Sequence, residues 1–290
     1  MGLQIKEILA VGERILSEKG VEDYKQDAET LLCHEIHYDA KKLFMNWSRV
    51  IDDSHCEAFF ESIQRRASGI PTQYITQKQG FMGLNFFVNE EVLIPRADTE
   101  TLAESVQEYG KEHQNLLRIL DLCTGSGNLA VYFAKAMPSS KITATDIDRD
   151  ALAVARTNAE TYGVSRQIRF LQSDLFAEFK TGFGGQKYDV IVSNPPYIRS
   201  DVLPTLQREI YEHEPLHALD GGFDGLDFYR RIIGRAHEFL RKQGALFLEI
   251  GYDQGDAVKA MLQETEKYQD IKIRKDLGEA DRVISARLKE

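Results

Sequence analysis

The amino-acid sequence predicts an α/β protein in which a mostly parallel sheet, with helices on both faces, follows a small helical bundle. Apolar residues recur at helical spacing up to about residue 68. Beyond residue 117, short apolar runs alternate with helical stretches, a pattern typical of a parallel sheet covered by helices. A glycine-rich run follows the first of these apolar runs and leads directly into a helix, as in nucleotide-binding α/β folds.

The composition predicts an intracellular protein of one or two domains. The chain has 290 residues, 42% of them hydrophobic, which is enough for substantial cores. Its formal net charge of -10 disfavours a protein that binds mainly through nucleic-acid phosphates, because such binding needs clustered Lys and Arg. The three cysteines lack C-x-x-C spacing and predict neither a disulfide framework nor a zinc site. Without a signal-peptide pattern or a long apolar run, we expect a cytoplasmic location and no membrane association.

Three segments are predicted along the chain. Residues 1–70 read as a helical domain with few strand signals. Gly69-Ile70-Pro71 breaks the helical pattern and opens a linker over residues 71–97. Residues 98–290 form the predicted sheet domain.

The linker is expected to contain a β-hairpin. Apolar residues in 81–88 and 92–94 flank Asn89-Glu90-Glu91, which reads as the turn between two strands. Asp98 or Thr99 is then positioned to cap a helix that begins at Glu100.

The sheet domain contains seven candidate strands, at residues 118–122, 141–145, 168–172, 188–192, 245–250, 271–274 and 283–288. Its candidate helices lie near residues 127–137, 149–162, 225–241 and 254–265. The connection over residues 198–225 is long for a compact domain, and connections of that length are often functional.

The first strand of this domain ends in a candidate cofactor loop. Its glycines allow close backbone approach to a ligand, and the following helix offers N–H groups to a carboxylate or a pyrophosphate. Gly125 to Ala130 also satisfies G-x-G-x-x-A, so a nicotinamide or flavin dinucleotide is a competing interpretation. The loop residues are Asp121, Leu122, Cys123, Thr124, Gly125, Ser126 and Gly127.

Carboxylates follow the next two strands. Asp146 ends the second strand about 20 residues after the glycine loop, where it can accept hydrogen bonds from both ribose hydroxyls. Ser173 and Asp174, followed by Leu175 and Phe176, come after the third strand, where a polar and an apolar side chain could bracket an adenine ring. Both features fit a dinucleotide as well as another adenosine-containing cofactor.

The fourth strand delivers Asn194, Pro195, Pro196 and Tyr197 to the same edge of the sheet. Two prolines stiffen the backbone and leave its carbonyls as acceptors, Asn194 adds an amide, and Tyr197 adds an aromatic face. These groups suit a planar amide or amino group, although an isolated N-P-P-Y run also suits a rigid turn with a packed Tyr. Because the chain offers no convincing proton-transferring residue for a dehydrogenase, we interpret the site as one that acts on an amide or amine nitrogen.

The sequence resembles the HemK/PrmC family over nearly its whole length. The N-P-P-Y run is shared with adenine- and cytosine-amino methyltransferases, whereas Ile94-Pro95-Arg96 and Glu214-Pro215 are more particular to this family. The matching segments are Gln73-Tyr74-Ile75, Phe81-Met82-Gly83, Val92-Leu93-Ile94-Pro95-Arg96, 121–127, 192–198, Glu214-Pro215, Gly221-Gly222-Phe223-Asp224-Gly225-Leu226, Glu249-Ile250-Gly251 and Asp281-Arg282-Val283. The chain departs from the family pattern at Cys123, where Gly is common, and at Ala97, where Pro is common.

The resemblance implies a class I S-adenosylmethionine-dependent methyltransferase with a Rossmann-like, mostly parallel seven-stranded sheet. It implies that residues 121–127 hold the methionine portion of S-adenosylmethionine, Asp146 the ribose, and Asp174 with Leu175 the adenine. Asn194, which also borders the cofactor, would bind the substrate glutamine together with Pro195, Pro196 and Tyr197. No metal is required for this chemistry.

The implied reaction is methylation of the side-chain nitrogen (N5) of the glutamine in the Gly-Gly-Gln motif of peptide chain release factors. The expected partner is therefore a release factor rather than nucleic acid or a membrane. Three alternatives are a ribosomal-protein glutamine methyltransferase, an adenine-N6 methyltransferase acting on a flipped base, and a release-factor-binding protein without turnover. The acidic charge disfavours the second, and the intact glycine loop, Asp146 and Asn194 disfavour the third.

Overall fold

A computed structural model describes residues 3–114, 116–181 and 185–290 of the chain. It contains two compact units, Met1–Lys78 with Gln207–His213 and Gln79–Leu206 with Glu214–Glu290. Within the described ranges, no helix combines the length and the apolar character needed to cross a membrane. The smaller unit thus includes a short segment from the second half of the sequence.

The elements follow the alternation of helical and strand-like segments seen in the sequence. The helices are α1 (Ile5–Glu18), α2 (Tyr24–Glu35), α3 (Ala40–Met45), α4 (Asp53–Ala67), α5 (Thr72–Thr76), α6 (Asp98–Glu112), α7 (Asn128–Ala136), α8 (Arg149–Thr161), α9 (Arg208–His213), α10 (Asp227–Ala236) and α11 (Gly255–Glu264). The strands are β1 (Gln79–Phe81), β2 (Leu84–Phe86), β3 (Arg118–Leu122), β4 (Lys141–Asp146), β5 (Ile168–Gln172), β6 (Tyr188–Ser193), β7 (Leu240–Glu249), β8 (Tyr268–Lys275) and β9 (Asp281–Leu288).

The smaller unit is helical, as its apolar spacing predicts. Two of its helices begin at an aspartate whose side chain accepts a backbone N–H: Asp39 from Lys42 at 2.6 Å, and Asp52 from His55 at 3.0 Å. The apolar faces of α1, α2 and α4 pack around Leu9 and Phe59, which are fully buried. The helical bundle predicted for the N-terminal part of the chain is therefore confirmed.

A buried arginine ties α9 to this bundle. Arg66 Nε donates to Asp27 Oδ2 at 2.6 Å, and Arg66 Nη2 lies 2.5 Å from Glu209 Oε2. Since the Arg66 side chain is largely buried, it depends on both carboxylates for compensation of its charge. The segment 207–213 of the long connection consequently belongs with the helical unit.

The larger unit contains a seven-stranded sheet of order β5-β4-β3-β6-β7-β9-β8. Strands β3 to β7 are parallel, and β9 is antiparallel to both β7 and β8. Alternate residues of β3 enter two separate cores: Ile119 packs on the side of α6 and α7, and Leu120 on the side of α10. Burial on both faces explains why such a strand appears in the sequence as a continuous apolar run. The predicted mostly parallel sheet is confirmed.

The predicted helix over residues 225–241 extends too far. Helix α10 ends at Ala236, and β7 begins at Leu240, which pairs with Tyr188 of β6. The basic residues around Arg241 favour a helix locally, but Arg241 instead donates to Asp189 at 2.6 Å and lies within β7. Tertiary pairing therefore overrides local helix propensity at this boundary.

The predicted hairpin strands are also wrong, although a hairpin lies in the expected segment. The antiparallel strands are β1 and β2, joined at Met82 and Gly83, whose φ angles are 50° and 74°. Two consecutive positive φ angles match the right-handed twist of a two-residue hairpin. Val92 and Ile94 are buried but belong to no strand, so their apolar pattern reflects burial rather than sheet pairing.

Helix α6 begins two residues before the predicted start. Its first residue is Asp98, after Ala97, and no capping hydrogen bond from the Ala97 side chain is possible. The two proposed caps have tertiary partners instead: Asp98 pairs with Arg282 at 3.1 Å, and Thr99 accepts a hydrogen bond from Asn194. Ala97 has φ -60°, an angle that proline also adopts, so the common family residue would fit this backbone.

Candidate active site

A pocket lies at the carboxyl ends of β3, β4, β5 and β6. The chain proceeds outward from β3 through β4 and β5 and then crosses to β6 on the other side of β3, which creates a crevice where ligands of open parallel sheets bind. Its volume is about 1140 Å³, including space open to solvent. The predicted site residues that line it are Cys123, Thr124, Gly125, Ser126, Asp146, Asp174, Leu175, Asn194 and Pro196.

The glycine loop is held by hydrogen bonds from three of its backbone N–H groups. Thr124 N donates to Thr145 O at 2.9 Å, Gly125 N donates to Asp146 Oδ2 at 2.8 Å, and Gly127 N donates to Thr124 O at 2.8 Å. These three N–H groups are therefore occupied and cannot also cradle a pyrophosphate. This geometry disfavours the dinucleotide interpretation that the G-x-G-x-x-A pattern left open.

Two carboxylates, those of Asp121 and Asp146, hydrogen-bond to the glycine loop. Asp121 is buried; its Oδ2 accepts from Thr124 Oγ1 at 2.6 Å, whereas Oδ1 has no hydrogen-bond partner in the described part of the chain. Burial raises the pKa of Asp121 to about 7, against the opposing hydrogen bond from Thr124 and with a further contribution from Asp146. Burial also raises the pKa of Asp146, whose Oδ1 accepts from Asp148 N at 3.0 Å.

The donor set fits S-adenosylmethionine, which carries positive charge on sulfur and on its amino group. Asp121 and Asp146 supply negative charge, and the unfilled acceptor on Asp121 is joined by the buried Ser126 hydroxyl, which also lacks a hydrogen-bond partner among the described residues. Unfilled buried polar atoms carry a free-energy cost that a bound polar group would remove. Asp121 and Gly127, at the two ends of the loop, are not among the residues that line the pocket.

The predicted adenine region has a different environment from the one expected. Asp174 Oδ1 pairs with Arg231 at 2.6 Å, and Leu175 is buried with φ 50°. Phe176 does not face the pocket, because its ring stacks on Phe239 with centroids 4.8 Å apart. The apolar wall comes from Ile147 and Phe228, which the sequence alone does not single out, and Arg231 adds a charged side chain to the lining.

Two of the four residues of the N-P-P-Y segment line the pocket. Asn194 and Pro196 line the pocket, and Asn194 Nδ2 donates to Thr99 Oγ1 at 3.1 Å. Pro195 and Tyr197 do not line it. Tyr197 donates to Glu249 Oε1 at 3.3 Å, and burial, followed by the nearby Glu249 charge, raises the pKa of the Tyr197 phenol. The stacking role expected for Tyr197 stays a prediction.

The two segments most particular to the resemblance meet beside the pocket. The buried Glu214 carboxylate accepts from Ile94 N at 3.3 Å and from Arg96 Nη2 at 2.5 Å. Arg96 lines the pocket, and His217, three residues after Glu214, lines it as well. The ion pair between the half-buried Arg96 and the buried Glu214 thus connects the segment before α6 to the long connection after β6 at the pocket rim.

Comparisons with known proteins agree with this architecture. Residues 7–76 match the PrmC N-terminal domain, and residues 97–222 match the Methyltransferase small domain. A release factor glutamine methyltransferase of Clostridium acetobutylicum is 38% identical over 284 residues, covering 98% of each chain. Its counterpart in Bacillus cereus is 36% identical over 289 residues, covering 99% of this chain and all of the relative. A methyltransferase structure from Pyrococcus furiosus, at 19% identity, superposes with a TM-score of 0.52 over 78% of this chain and 98% of that one, and so supports the fold.

The sheet order, the acidic cofactor pocket and the methyltransferase domain match define a class I S-adenosylmethionine-dependent methyltransferase. The relatives share more than a third of their residues with this chain over nearly its entire length. The chain belongs to the HemK/PrmC family of release factor glutamine methyltransferases.

Proposed function

We propose that this protein transfers a methyl group from S-adenosylmethionine to the side-chain amide nitrogen of the glutamine in the Gly-Gly-Gln motif of peptide chain release factors. The observation that carries this proposal is the hydrogen bond from Asn194 Nδ2 to Thr99 Oγ1. Because the amide nitrogen is engaged there, the side-chain oxygen of Asn194 is left as the acceptor at the pocket wall. Since release factors act in translation, we infer that the reaction takes place in the cytoplasm.

The cofactor is held by residues whose roles we infer from their positions. Residues 123–127 and Asp121 hold the methionine portion, Asp146 accepts from the ribose hydroxyls, and Asp174 with Leu175 borders the adenine. When bound, S-adenosylmethionine supplies an electrophilic methyl group on its sulfonium.

An amide nitrogen is a weak nucleophile because its lone pair is delocalised into the carbonyl. If the Asn194 side-chain oxygen and the Pro195 carbonyl accept its two N–H groups, partial negative charges face the nitrogen on which positive charge develops. Pro196 limits the movement of the loop, so these acceptors are fixed before the substrate arrives. The proton released from the methylated nitrogen passes to water, so a dedicated base is not required.

Substitution of Asn194 tests the proposal. Asn194→Ala should reduce the rate of methyl transfer to a release factor by about 10²- to 10³-fold, by analogy with loss of one preorganised hydrogen-bonding group. The dissociation constant of S-adenosylmethionine, measured by calorimetry, should change little. Near wild-type turnover in this variant would refute the role of Asn194.

The same assay defines the substrate. Wild-type protein and labelled S-adenosylmethionine should modify a release factor but not a factor whose Gly-Gly-Gln glutamine is replaced. Equal labelling of both factors would place the modification elsewhere. Preferential labelling of a ribosomal protein or an oligonucleotide would favour one of the other methyltransferase interpretations.

We further propose that residues 1–70 dock the protein substrate, that residues 71–97 link the domains, and that residues 98–290 carry methyl transfer. A macromolecular substrate needs a surface larger than a glutamine pocket. The helical unit exposes Phe44 and Met45, whose relative exposures are 77% and 73%, next to Trp47. Contiguous exposed apolar side chains of this kind often mark interaction surfaces.

Substitutions at this surface separate docking from chemistry. Phe44→Ser and Met45→Ser together should raise the KM for a release factor while the dissociation constant of S-adenosylmethionine stays within about twofold. A short peptide containing Gly-Gly-Gln should be methylated equally by the variant and the wild type. Unchanged KM for the whole factor would remove this surface from the docking site.

A further inference from the structure

We propose that Thr99 and Glu249 are positioning residues that hold the Asn194 side-chain amide in a single orientation, with its oxygen toward the substrate nitrogen. The inference rests on the proposed function, because it concerns the acceptor that receives the glutamine amide. It assigns a role to two buried side chains that do not touch the reacting atoms themselves.

The first step is the polarity of the Thr99 hydroxyl. Thr99 is buried, and its oxygen accepts the hydrogen bond from Asn194 Nδ2 at 3.1 Å. A hydroxyl that accepts through a lone pair keeps its own hydrogen for donation to another acceptor. The orientation of Asn194 is therefore fixed only if the Thr99 hydrogen is directed elsewhere.

Glu249 is the acceptor available to that hydrogen. Its carboxylate is buried, the Thr99 hydroxyl is near enough to lower its pKa, and Oε2 has no hydrogen-bond partner in the described part of the chain, so Oε2 is open to the Thr99 hydrogen. The second oxygen, Oε1, accepts from the Tyr197 hydroxyl at 3.3 Å. Glu249 thus accepts from the loop that carries Asn194 and keeps a second oxygen for the Thr99 hydroxyl of α6.

The backbone at Glu249 is itself held in place, because its carbonyl oxygen accepts from the Tyr229 hydroxyl at 3.0 Å. The charges that act on the Glu249 carboxylate are those of Arg282 and Asp98. Arg282 Nη2 lies 3.1 Å from Asp98, and Arg282 Nε donates to Asp276 at 3.0 Å. A buried carboxylate surrounded in this way has little freedom to turn toward another donor.

Orientation matters because the two ends of a side-chain amide have nearly the same shape. If Asn194 rotated by 180° about its last torsion, it would present an NH₂ group to the N–H groups of the substrate glutamine. Two donors would then face each other, and the catalytic acceptor would be lost. When the Thr99 hydroxyl donates its hydrogen to Glu249, its oxygen can only accept, and it accepts from Asn194 Nδ2. This selects the orientation in which the Asn194 oxygen faces the substrate.

Protonation of Glu249 should reverse this selection. Burial raises the pKa of Glu249 to about 7, with hydrogen bonding from Thr99, the Arg282 charge and the Tyr197 hydroxyl opposing the rise, and the Asp98 charge adding to it. A protonated Glu249 can donate to Thr99, whose own hydrogen is then free to point at Asn194. The maximal rate should therefore fall as pH drops below about 7.

The principal test is a series at Thr99 in the full-length protein. Thr99→Val removes the hydroxyl at nearly constant shape and should lower kcat by about 10- to 100-fold, the range expected for an unsatisfied buried polar group. The KM for the release factor and the dissociation constant of S-adenosylmethionine should stay within about twofold. Thr99→Ser retains the hydroxyl and should recover most of the lost rate.

Thr101→Val is the matched control. Thr101 is buried on the same helix but does not line the pocket, so the same chemical change there should leave kcat near the wild-type value. If Thr99→Ser is as impaired as Thr99→Val, the hydroxyl is not the determinant. The inference is equally overturned if Thr101→Val and Thr99→Val lose the same activity.

A second measurement does not depend on turnover. The side-chain amide signals of Asn194, assigned by their loss in Asn194→Ala, should shift and exchange faster with solvent in Thr99→Val and in Glu249→Gln. Glu249→Gln should also remove the acidic limb of the kcat profile near pH 7. Unchanged amide signals in both variants would overturn the inference about Thr99 and Glu249, even if the wild-type protein methylates release factors. A wild-type protein that fails to methylate release factors would instead overturn the proposed function, and the amide signals would still report on the orientation of Asn194.

Discussion

Substitution of Gly127 by alanine should destabilise the protein through two separable effects. Gly127 has φ 76°, where an L-residue with a Cβ costs about 1–2 kcal/mol. A Cβ at this position would lie 2.8 Å from Ala155 Cβ and 3.1 Å from Ala155 Cα on α8. Neither atom can move by side-chain rotation, so crowding adds about 1–3 kcal/mol.

Gly125 provides the matched control in the same loop. It has φ 51°, but no atom lies within 4 Å of the position that its Cβ would take. Gly125→Ala therefore carries the backbone cost without the crowding. Because alanine also restricts the unfolded chain, about 0.4–1 kcal/mol is offset in both variants. The expected net losses are about 0–1.6 kcal/mol for Gly125→Ala and about 1–4.6 kcal/mol for Gly127→Ala, the difference of about 1–3 kcal/mol being the crowding.

Urea titration followed by circular dichroism measures both losses on the same basis. Calorimetric titration with S-adenosylmethionine should also show weaker binding for Gly127→Ala, since α8 displaces the backbone that closes the loop through the bond from Gly127 N to Thr124 O. Equal free-energy losses for the two variants would refute the reasoning, because backbone strain alone would then account for both.

Two further predictions concern residues at the end of β3. Cys123 has φ 57°, so Cys123→Gly should be about 1 kcal/mol more stable than Cys123→Ala in urea titrations, and the reverse order would show that the left-handed backbone is not strained. In the native state, Asp121 keeps its proton up to about pH 7, whereas in the unfolded chain it releases the proton near pH 4. The native state therefore binds more protons between these pH values, and the free energy of unfolding falls as pH rises through this range. Without cofactor, Asp121→Asn should lack this component, worth up to about 4 kcal/mol; parallel pH–stability curves for the two proteins would contradict it.

The sheet could be predicted because its strands carry their own signal. Strands β3 and β6 are buried on both faces, so they appear as short apolar runs bounded by polar turns and need no knowledge of their partners. The N-terminal helices are likewise visible from spacing alone. Helix and strand ends were less accurate, because the extent of α10 depends on the pairing of Leu240 with Tyr188 rather than on local composition.

The hairpin was misplaced for a related reason. Asn89-Glu90-Glu91 does form a turn, with Val92 N donating to Asn89 O at 3.2 Å, but the described residues on either side of it form no strands. The turn between β1 and β2 instead uses Met82 at a positive φ, a conformation that its residue type does not indicate. The structure must supply the reason why Met82 tolerates this angle: Met82 N donates to Glu100 Oε1 of α6 at 2.5 Å. Contacts between distant segments of this kind leave no trace in a short window of sequence.

The residues of the site were likewise only partly predictable from the sequence. Asp146, Asp174 and Asn194 could be identified because each directly follows a strand, and carboxyl ends of parallel strands share one edge. The partners that orient these residues could not be identified. Thr99 is 95 residues from Asn194, and Arg96 is 118 residues from Glu214. The sequence alone favours a helix cap for Thr99, because that local role fits its residue type equally well.

Two buried carboxylates each have one oxygen without a hydrogen-bond partner among the described residues. Asp121 lies behind the cofactor loop, and Glu249 lies behind the loop that carries Asn194. Burial raises the pKa of both to about 7, so ionisation of either one at higher pH lowers the stability of the native state. A fold selected for stability alone would fill these positions with neutral side chains, since an apolar or amide group carries no such cost. Their presence at these two points is explained if the negative charge of Asp121 is needed by a cationic cofactor and the acceptor of Glu249 is needed to fix Asn194 through Thr99.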